Sequence, residues 1–267
     1  MNQYKIEAGT AQHIGSRPQQ NDRAALFTGA RAPGCVLAVL ADGLGNSSAP
    51  EQVLLTAKQL FDGFSPGENP SVERLADMLR EIVHECHMII KMNAMRAKGV
   101  QTCTFAALIL TPQGQAVWGH VGESRVYHFF KKECVGRTND STFVTHLTEH
   151  DKLPLEAAKA HRQSKVLMNV LGSEYREPFV TIGSKVELAG GDRFMLCSDG
   201  LWSYFTDAEL TAVTYKNTPR EAAELLITKV GERAQGRGDN CTMAIIKLVA
   251  PPKEAPSYTV QKLRRAV

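Results

Sequence analysis

Short apolar runs separated by polar turns recur along the whole chain, and they predict a protein rich in β-strands. Residues 2–12 and 23–30 predict two strands of a meander. The run 36–41 is apolar at every position, which is typical of a strand buried on both faces. A polar loop at 133–142 should lead into a strand that ends at 147–150. Further strands are predicted at 102–111, 115–121, 125–130, 179–188, 193–198 and 241–248.

Longer segments show the helical spacing of apolar residues. They are a segment that begins after Ser48, a segment at 71–98 that should end at Gly99, and two more at 206–215 and 219–234. Residues 151–172 have a helical pattern that becomes irregular. Strands that come in runs, interrupted by pairs of helices, predict an α+β fold of layered antiparallel sheets rather than a parallel sheet.

Length, charge and cysteine usage narrow the class of protein. At 267 residues the chain can form one large domain or two small ones. A net charge of +3 does not favour nucleic acid or a membrane surface as a partner. No apolar run approaches the ~20 residues of a spanning helix, and the first residues lack the pattern of a secretory signal. The six cysteines form no CxxC pair, so we expect buried thiols in a reducing, cytoplasmic compartment.

Four acidic residues stand at the edges of predicted strands, far apart in the sequence. Asp42 and Asp199 each follow an apolar run closely, and Asp22 and Asp239 each stand just before one. An Asp-Gly turn at a strand end is common and needs no function. A carboxylate that leaves the core is nevertheless costly unless it is paired or binds a metal. Four such acids that meet in space would form an oxygen-ligand site for Mg²⁺ or Mn²⁺.

Six motifs, taken in order, carry a resemblance to a known protein family. They are Arg17 with Asp22 five residues later, DGLG at 42–45, the strand pair around 102–110 and 117–129, LTEH at 147–150, LCSDGLW at 196–202 and GDN at 238–240. Each motif is weak alone, but together they cover nearly all of residues 5–248. The chain therefore resembles the metal-dependent protein phosphatases of the PPM (type 2C) family, particularly its compact bacterial members.

This resemblance implies a fold and a domain organisation. The fold would be a β-sandwich of two antiparallel sheets, each flanked on its outer side by a pair of helices, in four αββα layers. Residues 1–250 would form a single phosphatase catalytic domain with a flap at about 150–172 beside the active site. Residues 251–267 would form a C-terminal tail.

The resemblance also assigns roles to the acids. Two divalent cations, Mn²⁺ or Mg²⁺, would activate a water between them for attack on a phosphoserine or phosphothreonine monoester. Asp42 would bridge the two ions. Asp199 and Asp239 would complete the coordination of the first ion, while Asp22 and the backbone carbonyl of Gly43 would bind the second.

Three further positions bear on how substrate would be held and released. Arg17 would grip two phosphate oxygens with its planar guanidinium, although a solvated surface charge is the alternative interpretation. Asn21 stands where many members carry Glu or Gln, so the second ion would depend more on Asp22 and water. Leu44 stands where many eukaryotic members carry His, so water or another group would protonate the departing oxygen.

A third ion beside the flap is expected to bind weakly or not at all. Many members hold it with three acids, whose positions are here Glu123, Ser203 and His150, with Asp151 displaced by one place. A hard ion prefers several charged oxygens, and one acid survives in this set. A nitrogen-tolerant ion such as Mn²⁺ would therefore be favoured over Mg²⁺.

Two other classes of function compete with catalysis. A pseudophosphatase, which uses the same scaffold for regulatory binding, would usually have lost one or more of the metal ligands. A metal-dependent nuclease would need a basic groove with aromatic residues, and none is visible outside the short LRR sequence near the end. The expected partners are a phosphorylated protein substrate and a Ser/Thr kinase or its targets, with no nucleic acid and no membrane, and the expected state is a monomer. His84 and His87 are interpreted as surface or packing residues.

Overall fold

A computed structural model describes residues 4–45, 47–95, 101–164 and 166–250. Its strands are β1 (Lys5–His13), β2 (Arg23–Gly29), β3 (Ala32–Ala41), β4 (Gly43–Leu44), β5 (Thr102–Cys103), β6 (Phe105–Leu110), β7 (Ala116–Val121), β8 (Arg125–Phe130), β9 (Glu133–Arg137), β10 (Thr181–Lys185), β11 (Arg193–Cys197) and β12 (Cys241–Val249). Its helices are α1 (Ala49–Gly63), α2 (Val72–Ala94), α3 (Phe143–Glu149), α4 (Leu155–Ala160), α5 (Asp199–Trp202), α6 (Asp207–Lys216) and α7 (Pro219–Ala234). The predicted helix end at Gly99 and the predicted tail at 251–267 lie outside the described residues.

Two five-stranded antiparallel sheets form the centre of the molecule, as predicted. The first sheet has the order β1-β12-β11-β8-β9, and the second has the order β10-β7-β6-β3-β2. The short strands β4 and β5 pair separately, with Gly43 opposite Cys103. Because each sheet contains strands from both halves of the chain, residues distant in sequence are brought to the same end of the sandwich.

Strand β3 shows how the core is divided. Ala38 and Leu40 point between the two sheets, where they pack in a cluster with residues of the first sheet such as Phe194. Leu37 and Val39 point to the other side, into the cluster formed with the helices that cover the second sheet. Alternate side chains of a strand face opposite ways, so a strand covered on both faces must be apolar throughout. This confirms the prediction for 36–41.

The helices cover the outer faces of the sheets in two pairs. Helices α1 and α2 pack on the second sheet, and α6 and α7 pack on the first. Ser71 caps α2, and Thr206 and Thr218 open α6 and α7 with capping boxes, which satisfies backbone donors at each helix start. The predicted four-layer arrangement is confirmed. No helix in the described part of the chain is long and apolar enough to cross a membrane.

Two local predictions were wrong, and both concern the segment after β8. The expected polar loop at 133–142 begins with strand β9, an edge strand whose residues alternate between exposed and half-buried. The expected strand ending at 147–150 is instead helix α3, because the side chain of Thr142 accepts the amide of Thr145 and caps a helical turn. Beyond it, residues 155–160 form α4 and the chain is then irregular, as the pattern at 151–172 predicted.

Replacing Leu108 with Ala should test the inter-sheet core. Leu108 is fully buried between the sheets, so its loss should lower the free energy of unfolding by about 2–5 kcal/mol. Leu55→Ala is the matched control, because Leu55 lies on α1 with 64% of its surface exposed, and its effect should stay within about 0.5 kcal/mol. Urea titration measures both, and equal losses in the two variants would contradict this division of the core.

Candidate metal centre

Four chain segments converge at one end of the sandwich and carry the predicted acids. Asp42 follows β3, and Asp22 precedes β2, which pairs with β3 in the second sheet. Asp199 follows β11, and Asp239 precedes β12, which pairs with β11 in the first sheet. The two sheets therefore supply two acids each to the same region.

Three of these carboxyl groups lie close enough together to perturb one another. Both Asp22 and Asp199 help to raise the pKa of Asp42, so acids from the two sheets form one cluster. Desolvation by burial is the largest cause that raises the pKa of each group, and neighbouring carboxylates add to it. The pKa of Asp199 is raised to about 6. Like charges in a desolvated cleft disfavour ionisation, so the cluster attracts protons or cations.

Asp22 is the most buried of the acids. Its side chain is fully inaccessible, and the hydroxyl of Ser198 donates to its Oδ2 at 2.8 Å. Its Oδ1 is buried and has no hydrogen-bond partner among the described residues. An unsatisfied buried carboxylate oxygen beside two other carboxylates is where a cation would supply the missing contact. Ser198 lies in the SDG motif, but its role depends on a contact with the other sheet that no local pattern reveals.

The backbone of Asp42 is fixed by residues that the sequence did not single out. Its amide donates to Thr104 Oγ1 at 3.1 Å, and its carbonyl accepts the amide of Thr104 at 2.9 Å. The hydroxyls of Thr104 and Ser124 are buried and lie 2.6 Å apart. This pair of hydroxyls ties the end of β3 to the turn after β7.

Asn240 joins the acidic segments to the loop that carries Arg17. Its Oδ1 accepts the amide of Asn21 at 2.7 Å, and its Nδ2 donates to the carbonyl of Ile14 at 2.7 Å. A Cβ on Gly200 would lie 1.9 Å from the carbonyl oxygen of Asn240, so only glycine fits beside it. Asn240 belongs to the GDN motif, but its structural role was missed.

Arg17 lies at this site, although it does not stand free for a phosphate. Its Nε donates to Asp239 Oδ1 at 2.7 Å and its Nη2 to Asp239 Oδ2 at 2.5 Å. The hydrogen bond and charge of Asp239 raise the pKa of Arg17. Both side chains are substantially exposed, at 57% and 40% of their surfaces, so the pair can exchange for other partners at little cost.

The oxygen donors at this site suit hard divalent cations, and one of the four acids, Asp239, is paired with Arg17. Among the described residues, no group of three or more His, Cys, Asp or Glu side chains has an arrangement that could hold a metal ion as it stands. Asp239 is paired with Arg17, and Asp22 Oδ2 accepts the hydroxyl of Ser198. Carboxylate oxygens are the ligands that Mg²⁺ and Mn²⁺ prefer, so the donor chemistry fits these ions, and binding them requires the acids to move from the positions they have here.

Comparison with known proteins gives relatives of one kind. No family model matches the chain. It is 29% identical over 232 residues to the serine/threonine protein phosphatase PstP of Mycobacterium tuberculosis, which covers 86% of this chain and 42% of that protein. It is 27% identical over 217 residues to the serine/threonine phosphatase stp of Listeria innocua, which covers 79% of this chain and 84% of that protein. The chain thus spans about two fifths of PstP and most of stp.

Solved structures extend the likeness to the fold. The serine/threonine phosphatase of S. agalactiae matches with a TM-score of 0.79 and 23% identity, over 91% of this chain and 99% of that one. The catalytic domain of PstP, in complex with two manganese ions, matches with a TM-score of 0.68 and 25% identity, over 91% and 98%. The chain has the fold of the PPM phosphatases. This confirms the resemblance that the six motifs carry.

Within this PPM fold, the three positions expected to hold a further ion belong to three different segments of the chain. Glu123 lies near the acidic cluster, and burial followed by the charge of Asp199 raises its pKa to about 8. Ser203 is the C-cap residue that follows α5. His150 is the C-cap residue of α3, its ring centre lies 4.9 Å from that of His146, and both line a cleft of about 330 Å³. The cleft is not lined by Glu123.

Asp42→Asn should stabilise the metal-free protein, because it removes the cost of holding an ionisable carboxyl group in a desolvated cleft beside two others. A gain of about 1 kcal/mol would raise Tm by roughly 2–4 °C. In the wild type, Mn²⁺ should raise Tm further, whereas the variant should lose most of that increase. Thermal unfolding in EDTA and in Mn²⁺ measures both, with Glu232→Gln as an exposed control. A variant that is less stable in EDTA yet still stabilised by Mn²⁺ would contradict the crowding argument.

Proposed function

We propose that this chain is a metal-dependent serine/threonine protein phosphatase that hydrolyses phosphoserine and phosphothreonine monoesters. The observation that carries the proposal is the meeting of Asp22, Asp42, Asp199 and Asp239 at one end of a PPM fold, with Arg17 beside them. The names of the curated relatives support the same activity.

The metal-binding roles follow the sequence prediction. Asp42 would bridge two ions, Asp199 and Asp239 would bind one of them, and Asp22 with the carbonyl of Gly43 would bind the other. Bound Mn²⁺ or Mg²⁺ would supply a water of lowered pKa and positive charge against the phosphoryl oxygens. The structure of the PstP catalytic domain in complex with two manganese ions supports the proposal of two ions for this chain. We propose that a third ion at Glu123 binds weakly, because neither His150 nor Ser203 supplies the charged oxygen that a hard ion prefers.

The remaining chemistry is divided between Arg17 and solvent. Once Asp239 binds an ion, the planar guanidinium of Arg17 can donate two parallel hydrogen bonds to phosphate oxygens and orient the ester for in-line attack. Leu44 has no proton to give, so the departing oxygen would take its proton from water or from another group. Cys197 is fully buried and its pKa is raised well above the usual range by burial, which leaves it unreactive.

The retention of all four acids favours catalysis over a pseudophosphatase. A binding module on the same scaffold would have no need to keep three crowded carboxyl groups with raised pKa values. A nuclease would need aromatic residues to stack bases along a basic groove. The end of the sandwich described above carries a cluster of acids instead.

The proposed partners are phosphorylated proteins, together with a serine/threonine kinase or the targets of that kinase. We propose a cytoplasmic monomer without a membrane or nucleic-acid partner. All six cysteines are free thiols, which supports a reducing compartment. The single catalytic domain at 1–250, with a flap at about 150–172, remains part of this proposal.

Phosphate release from a phosphothreonine peptide should require a divalent cation. We expect turnover with Mn²⁺ or Mg²⁺ and none in EDTA, because the carboxylates alone cannot neutralise the negative charge of the phosphoryl oxygens. Asp42→Asn should abolish turnover in Mn²⁺, and Asp239→Asn should nearly do so, while Glu232→Gln should match the wild type. Undiminished turnover in EDTA after exhaustive dialysis, or near-normal kcat for Asp42→Asn, would overturn the proposed mechanism.

Arg17→Ala should mainly raise KM for the phosphopeptide. The loss of one charged hydrogen-bonding pair is worth about 1.5–3 kcal/mol, which corresponds to roughly a 10- to 100-fold rise. Calorimetric titration should show that the variant still binds Mn²⁺, because Arg17 is not a ligand and its removal frees Asp239. A large fall in kcat with unchanged KM would show that Arg17 acts on the reaction rather than on substrate binding.

A further inference from the structure

A buried arginine lies beside the metal centre and has no part in the roles assigned so far. Arg125 opens β8, and its Nε and Nη2 donate to the two carboxylate oxygens of Asp140 at 2.8 and 2.7 Å. Its Nη1 donates to the hydroxyl of Tyr127 at 3.0 Å. The side chains of Arg125 and Asp140 are only 13% and 15% exposed. This is a two-bond, planar pairing of a kind that Lys cannot reproduce.

The same guanidinium contacts the helix that carries a metal ligand. Its carbon lies 3.5 Å from the ring centre of Trp202, close enough for a strong cation–π contact. Trp202 ends α5, the single turn that begins with Asp199. The indole N–H of Trp202 donates to the backbone carbonyl of Glu123 at 3.0 Å. Arg125 is therefore packed against two segments that border the acidic cluster.

Asp140, its other partner, stands at the base of the β9–β10 connection, which we define as residues 138–180. The next residue, Ser141, donates its amide to the carbonyl of Gly122 at 2.8 Å and accepts the amide of Met168 at 2.8 Å. Both arms of the connection thus meet beside Asp140, next to the turn that carries Glu123. A fixed Asp140 holds this base in place.

These contacts show that the pair of Arg125 with Asp140 differs from an ion pair that only stabilises the fold. A buried pair is weak support for stability, since desolvation offsets most of its attraction. The pair instead fixes geometry. The carboxylate of Asp140, the ring of Trp202 and the hydroxyl of Tyr127 together hold the guanidinium in one orientation. Its three neighbours belong to β8, to α5 and to the base of the connection. Any shift of Arg125 would be passed on to the segments that position Asp199 and Glu123.

We propose that Arg125 is a positioning residue for the phosphatase reaction, which holds the base of the β9–β10 connection and helix α5 in register through Asp140 and Trp202. This inference rests on the proposed function for its kinetic consequence and on the contacts themselves for its structural one. Small displacements of groups around a reacting centre can lower rates about 100-fold. Arg125 touches neither substrate nor ion in this scheme.

Two conservative variants and their combination test the proposal. Arg125→Lys keeps the charge but loses the fork, and Asp140→Asn keeps the shape but loses the charge. Each should lower kcat for the phosphothreonine peptide about 10- to 100-fold, with KM within about threefold of the wild type. The kcat of the double variant should be no lower than that of the less active single variant, because both changes remove the same interaction. Arg220→Lys is the control, since Arg220 forms an exposed pair with Glu224 on α7.

Hydrogen exchange supplies a readout that does not depend on turnover. The amides of Ser141 and Met168 should exchange at least about 10-fold faster in both single variants, and at the wild-type rate in Arg220→Lys. Normal kcat in both single variants, losses that multiply in the double variant, or unchanged exchange at these two amides would overturn the proposal. If the wild type itself fails to hydrolyse the peptide, the proposed function fails, and the exchange rates still decide whether Arg125 fixes this base.

Discussion

Crowding of carboxylates in a desolvated cleft is the constraint on which the rest of this structure depends. Asp22, Asp42 and Asp199 each have a raised pKa, with burial as the largest cause, so the metal-free cluster costs stability. The apolar surface buried between the sheets and beneath the two pairs of helices offsets that cost. The fold therefore holds together a group of acids, at one end of a sandwich with an apolar interior, whose mutual repulsion a bound cation would relieve.

The cluster also explains why its members are scattered along the sequence. A hydrogen bond from Ser198 to Asp22 crosses from the first sheet to the second, and the contacts of Asp42 extend to Thr104 and Ser124. Each acid is placed by a strand end, and strands that pair side by side come from distant parts of the chain. The ions would be held by residues beside the strand ends of both sheets rather than by a single loop. This favours precise placement of the reacting groups.

Local pattern predicted most of the fold and the identity of the acids, and it failed where contacts rather than composition decide. Strand β3 is apolar from Val36 to Ala41, where both of its faces are covered, so the sequence alone revealed this part. Strand β9 is half-exposed, and its polar residues resembled a loop. Helix α3 contains Phe143 and Val144, which are common in strands, but the side chain of Thr142 caps the first turn and stabilises a helix. The role of Arg125 could not be predicted, because it depends on three partners that no motif links.

Two arginine–aspartate pairs near the same site differ in exposure, and this difference matches the work that each can do. The pair of Arg17 with Asp239 is largely exposed, so water replaces either partner at little cost and both can turn to new ligands. The pair of Arg125 with Asp140 is mostly buried. Separating it would leave uncompensated charge in a desolvated place, which is strongly unfavourable. One site thus contains an exchangeable pair where ligands must enter and a fixed pair where the surrounding segments must stay in register.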